Sequence, residues 1–129
     1  MPDDPFLIDI VDDEELVRKA LGRLIKSAGF DVRTFASGAD FLRSSEERRP
    51  DCVILDIRMP HLDGFGVHEA LLRDAQRTPV VIITGDDSLE YRSRAFRNGA
   101  RAFLRKPVDD SMLLAAIEKA LLPLSGPGA

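Results

Sequence analysis

The chain has 129 residues, of which 44% are hydrophobic and 31% charged, with a formal net charge of −4; this suits one globular domain and excludes a fibrous or disordered polymer. The acidic balance excludes the global basic field used by nucleic-acid and membrane-surface binders. One cysteine, Cys52, excludes an intramolecular disulfide, the acidic start Met1-Pro2-Asp3-Asp4-Pro5 does not read as a signal peptide, and no stretch approaches the ~20 apolar residues that cross a bilayer. A soluble, cytoplasmic protein is the expectation. In chain order, Phe6 to Val11 is a short apolar run interrupted by Asp9. A carboxylate is awkward in a central strand, and it is expected near the strand's solvent end. Leu16, Val17, Ala20, Leu21, Leu24, Ile25 and Ala28 then form one helical stripe, stopped at Gly29. Asp13 is placed to cap that helix, with Glu14 and Glu15 in its first turn.

Asp31 to Phe35 reads as a second strand, and Ser37-Gly38-Ala39-Asp40 as a capping signal before Phe41 and Leu42. The charged stretch 44–50 reads as loop. Cys52-Val53-Ile54-Leu55 is a third strand, and Gly64 to Arg73 a helix with Val67, Ala70 and Leu71 inward and His68 on its polar face. Pro79 to Ile83 is the clearest buried strand; Tyr91, Ala95 and Phe96 mark a fourth helix ending at Asn98-Gly99. Ala102-Phe103-Leu104 is a fifth strand. Met112, Leu113, Ala116, Ile117, Ala120 and Leu121 give a last helix, capped by Asp109, Asp110 or Ser111. Five strand–helix units predict an α/β fold, a doubly wound parallel sheet in three α/β/α layers. The domain is expected over 6–122, with an N-terminal extension over 1–5 and a Pro/Gly tail or linker stump over 123–129.

Open parallel sheets carry their functional groups at the carboxyl ends of the strands. The first strand ends in Asp12-Asp13, the third in Asp56, the fourth in Thr84-Gly85, and the fifth is followed by Lys106-Pro107. Three carboxylates, a hydroxyl and an ammonium therefore meet on one rim. Crowded carboxylates either hold protons or bind a cation, and all-oxygen ligands suit a hard ion such as Mg²⁺. A carboxylate beside such an ion, a lysine and a hydroxyl is a plausible phosphoryl acceptor.

Val11-Asp12-Asp13, Leu55-Asp56-Ile57-Arg58-Met59-Pro60, Ile83-Thr84-Gly85 and Lys106-Pro107 together resemble the receiver-domain signature of two-component response regulators. Arg33 to Gly38 and Asp56 to Pro60 look most like receivers of the nitrogen-fixation regulator group. The resemblance implies a flavodoxin-like sheet of order 2-1-3-4-5, with Asp56 as phosphoacceptor. Asp13 would ligate Mg²⁺ directly, Asp12 through a metal-bound water, and Arg58 through its backbone carbonyl. Lys106 would contact the phosphoryl group; Thr84 would move toward it and Phe103 turn inward behind. Gly85 would leave access to the site, and the side chains of Arg58 and Asp86 would tune dephosphorylation. The implied partners are a sensor histidine kinase or phosphotransfer protein and a downstream protein, with no direct nucleic-acid or membrane binding. The implied protein is a switch and not a conventional enzyme, though it would catalyse its own phosphorylation and dephosphorylation.

Blander readings stand beside these. Asp12-Asp13 alone could be helix caps and Asp56 a turn residue. Phe103 could be plain core, and Cys52 an inert buried thiol. His61 and His68 have no partner spaced for a metal. Arg92, Arg94, Arg97, Arg101 and Arg105 could be a solvated face, or could meet an acidic partner or a second copy through the fourth helix, fifth strand and fifth helix. Two rival functions use the same residues. A haloacid-dehalogenase-type phosphatase would also need Mg²⁺ and a nucleophilic aspartate, but it wants a second aspartate where Arg58 stands. A pseudo-receiver would only bind a partner.

Overall fold

The computed structural model describes residues 4–44, 47–74 and 77–123. Ten elements alternate in order: β1 Leu7–Val11, α1 Glu15–Ser27, β2 Asp31–Phe35, α2 Gly38–Ser44, β3 Cys52–Asp56, α3 Gly64–Leu72, β4 Val80–Thr84, α4 Leu89–Arg97, β5 Ala102–Arg105 and α5 Asp110–Leu121. The strands form one parallel sheet of order β2-β1-β3-β4-β5. Residues 1–3 and 124–129, most of the expected extension and tail, lie outside the described residues, as do 45 and 46 of the expected loop.

The strand sequences account for the order. β1, β3 and β4 are buried at every position, whereas β2 and β5 are only partly covered and form the edges. Continuous apolar runs belong in the middle of a doubly covered sheet. Side chains alternate between two cores. Val53, Leu55 and Ile82 pack with Phe41 of α2, Phe65 and Val67 of α3 and Ala95 of α4. Ile8, Ile10, Ile54 and Ile83 pack with Leu21 and Ile25 of α1 and Leu113 and Ile117 of α5. Cys52 belongs to the second core, where burial pushes its thiol up to about 12, so it stays an inert protonated group.

Four local expectations need correction. Asp9 does not lie at the solvent end of β1; it sits mid-strand and fully buried. Strand register sets Arg33 of β2 beside it, and the guanidinium donates two hydrogen bonds, at 2.9 and 2.8 Å, to the Asp9 carboxylate. Burial raises the Asp9 pKa, and the bonds and charge of Arg33 pull the other way. The N-cap of α1 is Glu14 and not Asp13, and no side chain caps that helix from within. Leu16 is exposed, one position outside the buried stripe. His68 is buried rather than on a polar face, which lowers its pKa.

Candidate functional site

The order of strands reverses beside β1: the chain steps from β1 to β2 on one side and then crosses to β3 on the other. Clefts at the carboxyl ends of strands open at such a switch point. Asp12 and Asp13 leave β1 there and Asp56 ends β3. The three carboxylates converge: one oxygen from each lies within 4.8 Å of the others. Asp12 and Asp56 are buried and Asp13 is exposed, so the group opens on its Asp13 side.

Backbone contacts hold the rim in shape. Asp12 N–H donates to Phe35 O at 3.1 Å, fastening the end of β1 to β2. Lys106 N–H donates to Thr84 O at 2.8 Å, which fastens the loop after β5 to the end of β4; the Lys106–Pro107 bond is cis. Gly64 N–H donates to Ile57 O at 2.8 Å, closing the loop between β3 and α3. The side chain of Asp63 caps α3 by accepting from Gly66 N. Gly64 is required by space: a Cβ there would stand 2.3 Å from Asp56 O and 2.7 Å from Ile57 Cα.

Lys106 reaches over this rim from the far side. Its Nζ lies 2.8 Å from Asp12 Oδ2, 2.8 Å from Glu14 Oε1 and 3.4 Å from Asp56 Oδ1. The buried Asp12 Oδ2 meets the ammonium at ion-pair distance, and no other donor reaches it among the described residues. Burial works against the ammonium, but its contacts with Asp12 and Glu14 and the charge on Asp56 outweigh that and raise its pKa, so Lys106 stays charged. One ammonium does not neutralise three carboxylates. Burial first, then the charge on Asp12, pushes the Asp56 carboxyl up to about 6 in spite of Lys106. Oxygen-only donors, three carboxylates facing one ammonium and an acid driven toward its proton together fit a hard divalent cation such as Mg²⁺.

Thr84 is buried at the end of β4, and its Oγ1 accepts from Asp86 N at 3.1 Å. Gly85 beside it leaves the rim open, since a Cβ there would meet nothing within 4 Å. Across the mouth, Arg58 donates to Asp86 Oδ2 at 2.6 Å and stacks over the Tyr91 ring at 5.9 Å. Asp86 also accepts from Ser88 N at 3.0 Å, and that backbone bond, then Arg58, lowers its pKa. Phe103 is already buried; it lies opposite Ile82 on the face that Thr84 shares, one pleat back along β4. Its ring neighbours Phe96 at 6.5 Å and the Arg92 guanidinium at 5.2 Å.

The structure therefore brings Asp12, Asp13, Asp56 and Lys106 to one point, sets Thr84 at its edge, and joins Arg58 to Asp86 over it. Two contributors escape sequence reasoning. Gly64 reads only as a helix start, though a glycine after a Pro-containing turn hints at close backbone approach. Glu14 reads as first-turn charge, and no sequence signal ties it to Lys106. The arginines after β4 do not act as one patch. Arg94 bonds Glu69 at 3.0 Å and stacks on Phe65, Arg105 faces Asp87 at 3.7 Å, and Arg101 reaches Ala120 O at 3.4 Å.

Comparison with known proteins agrees with this geometry. The family model described as response regulator receiver domain matches residues 8–118. The tetrathionate response regulatory protein TtrR of Salmonella typhimurium is 40% identical over 114 residues, covering 88% of this chain and 55% of that protein. The transcriptional regulatory protein PrrA of Mycobacterium tuberculosis is 39% identical over 117 residues, covering 91% of this chain and 50% of that protein. The chain thus spans about half the length of the curated relatives it matches. Among solved structures, the chemotaxis protein CheY4 of Vibrio cholerae superposes with a TM-score of 0.85 at 28% identity, covering 91% of this chain and 99% of that one.

Proposed function

Because this chain belongs to the response regulator receiver domain family, we propose that its phosphoacceptor is Asp56, served by Lys106, Thr84 and a Mg²⁺ ion held by Asp12, Asp13, Asp56 and the carbonyl of Arg58. The chain is a phosphorylation-dependent signalling switch and not a conventional enzyme. The observation that carries the assignment is the meeting of three carboxylates and one ammonium, drawn from three separate strand ends.

In the forward step, an Asp56 carboxylate oxygen attacks the phosphorus of a phosphohistidine. The new bond is O–P, the P–N bond breaks, and the imidazole leaves with a proton from solvent. When bound, Mg²⁺ neutralises charge on the transferring oxygens. Lys106 supplies a second fixed positive charge at the same point. Thr84 donates its hydroxyl hydrogen to a phosphoryl oxygen while its Oγ1 keeps or exchanges the Asp86 N–H. The product is a mixed anhydride, which water cleaves, so the signal is reversible. The Arg58–Asp86 pair, bridging the loops after β3 and β4, narrows the path of that water and tunes the lifetime of the phosphoryl group.

The donor is a sensor histidine kinase or phosphotransfer protein, with which receivers of this family interact. Among the described residues no helix is long and apolar enough to cross a membrane; we read the site of action as cytoplasmic. The output partner is a protein or a second copy of this chain, meeting the face formed by α4, β5 and α5, and not nucleic acid directly.

The test is incubation with Mg²⁺ and a small phosphodonor such as acetyl phosphate, followed by mass spectrometry. One phosphoryl group per chain on Asp56, lost in Asp56→Asn, is expected. Steady turnover of external phosphate esters would point to a phosphatase instead, and absence of any adduct to a pseudo-receiver.

A further inference from the structure

Glu14 adjoins the proposed metal ligands, yet the site as described leaves it without a task. It holds the N-cap position of α1 with extended backbone, φ −89° and ψ 114°, and its side chain makes no capping hydrogen bond. An N-cap is ordinarily filled by a short side chain that turns back on its own helix. The Glu14 carboxylate instead turns away, and its Oε1 accepts a 2.8 Å hydrogen bond from Nζ of Lys106, 92 positions along the chain. Its backbone is pinned on both sides: the N–H donates to Asp12 Oδ1 at 2.9 Å and the carbonyl accepts from Arg18 N at 3.1 Å. The backbone from which the carboxylate extends is thereby fixed.

The same ammonium stands nearer to Glu14 and Asp12 than to Asp56, at 2.8 and 2.8 against 3.4 Å. A lysine has three rotatable donors on a flexible stem, so its contacts are exchanged rather than fixed. The Lys106 side chain is 15% exposed and that of Glu14 is 61% exposed. The pair is thus wet at its glutamate end, and such pairs are easily broken.

We propose that Glu14 is a positioning residue that draws the Lys106 ammonium to the rim while Asp56 is bare and competes for it with the incoming oxyanion. The proposal rests on Asp56 being the phosphoacceptor. Phosphorylation then moves Lys106 off Glu14 and onto the phosphoryl oxygens, and Glu14 sets part of the resistance to that move.

The experiment measures beryllofluoride binding, as a non-covalent phosphoryl mimic, at saturating Mg²⁺. Glu14→Gln keeps the size and an acceptor oxygen and removes the charge. It is expected to tighten binding by roughly two- to five-fold, the range for one exposed ion pair, and to lose that effect in a Lys106→Met background. A second readout needs neither metal nor ligand: the ¹⁵Nζ resonance of Lys106 in metal-free protein is expected to shift in Glu14→Gln, while Lys19, Lys26 and Lys119 do not. An unmoved Lys106 resonance, unchanged affinity, or a gain that persists without Lys106 would each overturn the proposal. A wild-type chain that takes up no beryllofluoride would instead overturn the phosphoacceptor assignment.

Discussion

Asp56 keeps its proton to higher pH than a solvated aspartate, because burial and Asp12 disfavour its charge more than Lys106 favours it, bringing the carboxyl to about 6. The shift has a sign for stability. Below pH ~4 folded and unfolded chains both hold the proton, and Asp56 costs nothing. Between about 4 and 6 only the unfolded chain ionises freely, so the cost grows; above 6 it is complete, at about 3 kcal/mol for a shift of roughly two pH units. Asp56→Asn removes the ionisation, so in metal-free solution the variant should be the more stable by up to about 3 kcal/mol at pH 7. The two should match near pH 4, and Mg²⁺ should narrow the gap at pH 7 by stabilising the wild type. Urea denaturation across that range checks it, and equal stability at pH 7 would show that the buried carboxylate is already compensated. At this scale the convergence of Asp12, Asp13, Asp56 and Lys106 was legible in the sequence, because each stands at or just after the end of a strand and strand ends share a rim. The Asp9–Arg33 pair was not, because its partner is set by the register between β1 and β2, which no local pattern encodes. The contact of Glu14 with Lys106 was hidden for the same reason, since it forms only when the loop after β5 closes over α1.

The elements themselves were legible from two periodicities, and the errors fall where periodicity says nothing. Leu16 is apolar, but it sits in the first turn of α1, one position off the stripe of Val17, Leu21 and Ile25, and is exposed. His68 looked solvent-facing because it is polar, yet it lies one position from Val67 on a nine-residue helix whose buried side also takes Gly64, Phe65 and Leu71. The tightest element junction is where α3 begins against the end of β3. Gly64 lets the helix start directly over Asp56 and Ile57, at distances that no side chain tolerates. Gly64→Ala must push α3 or the β3–α3 loop outward, and that loop leads directly from Asp56 and carries Arg58. Overpacking of this kind costs roughly 1–3 kcal/mol. The variant is expected to unfold at lower urea by that amount and, where folded, to bind Mg²⁺ several-fold more weakly, as read by the metal dependence of amide chemical shifts. Wild-type Mg²⁺ affinity in a destabilised variant would separate the packing role of this glycine from any role in shaping the site.

Across the whole molecule, the proposed phosphoryl site and the proposed output face are joined through one short path. Thr84 ends β4; Phe103 of β5 packs on the same face one pleat back; Arg92 of α4 stacks on Phe103 at 5.2 Å and on Phe96 at 5.9 Å. Phe103 is already inward in this structure. The arginines of this region divide by what holds them. Arg94 is tied to Glu69 and Arg105 to Asp87, whereas Arg97, in the last turn of α4, shows no acidic partner among the described residues. A two-fold contact brings a face against itself, so each Arg97 needs an acid within reach on the other copy; Glu90, seven residues earlier on α4, and Glu118 of α5 are both exposed. If the output is self-association through α4, β5 and α5, beryllofluoride with Mg²⁺ should shift the chain from monomer toward dimer in sedimentation. Arg97→Glu would then set acid against acid and weaken the dimer by roughly ten-fold or more, since like charges across an interface cost up to several kcal/mol. Uptake of beryllofluoride should be unaffected, because Arg97 is remote from Asp12, Asp13, Asp56 and Lys106 in the fold. A dimer that forms equally well with Arg97→Glu would place the contact elsewhere, and a chain that stays monomeric with beryllofluoride bound would assign the α4 face to a different protein.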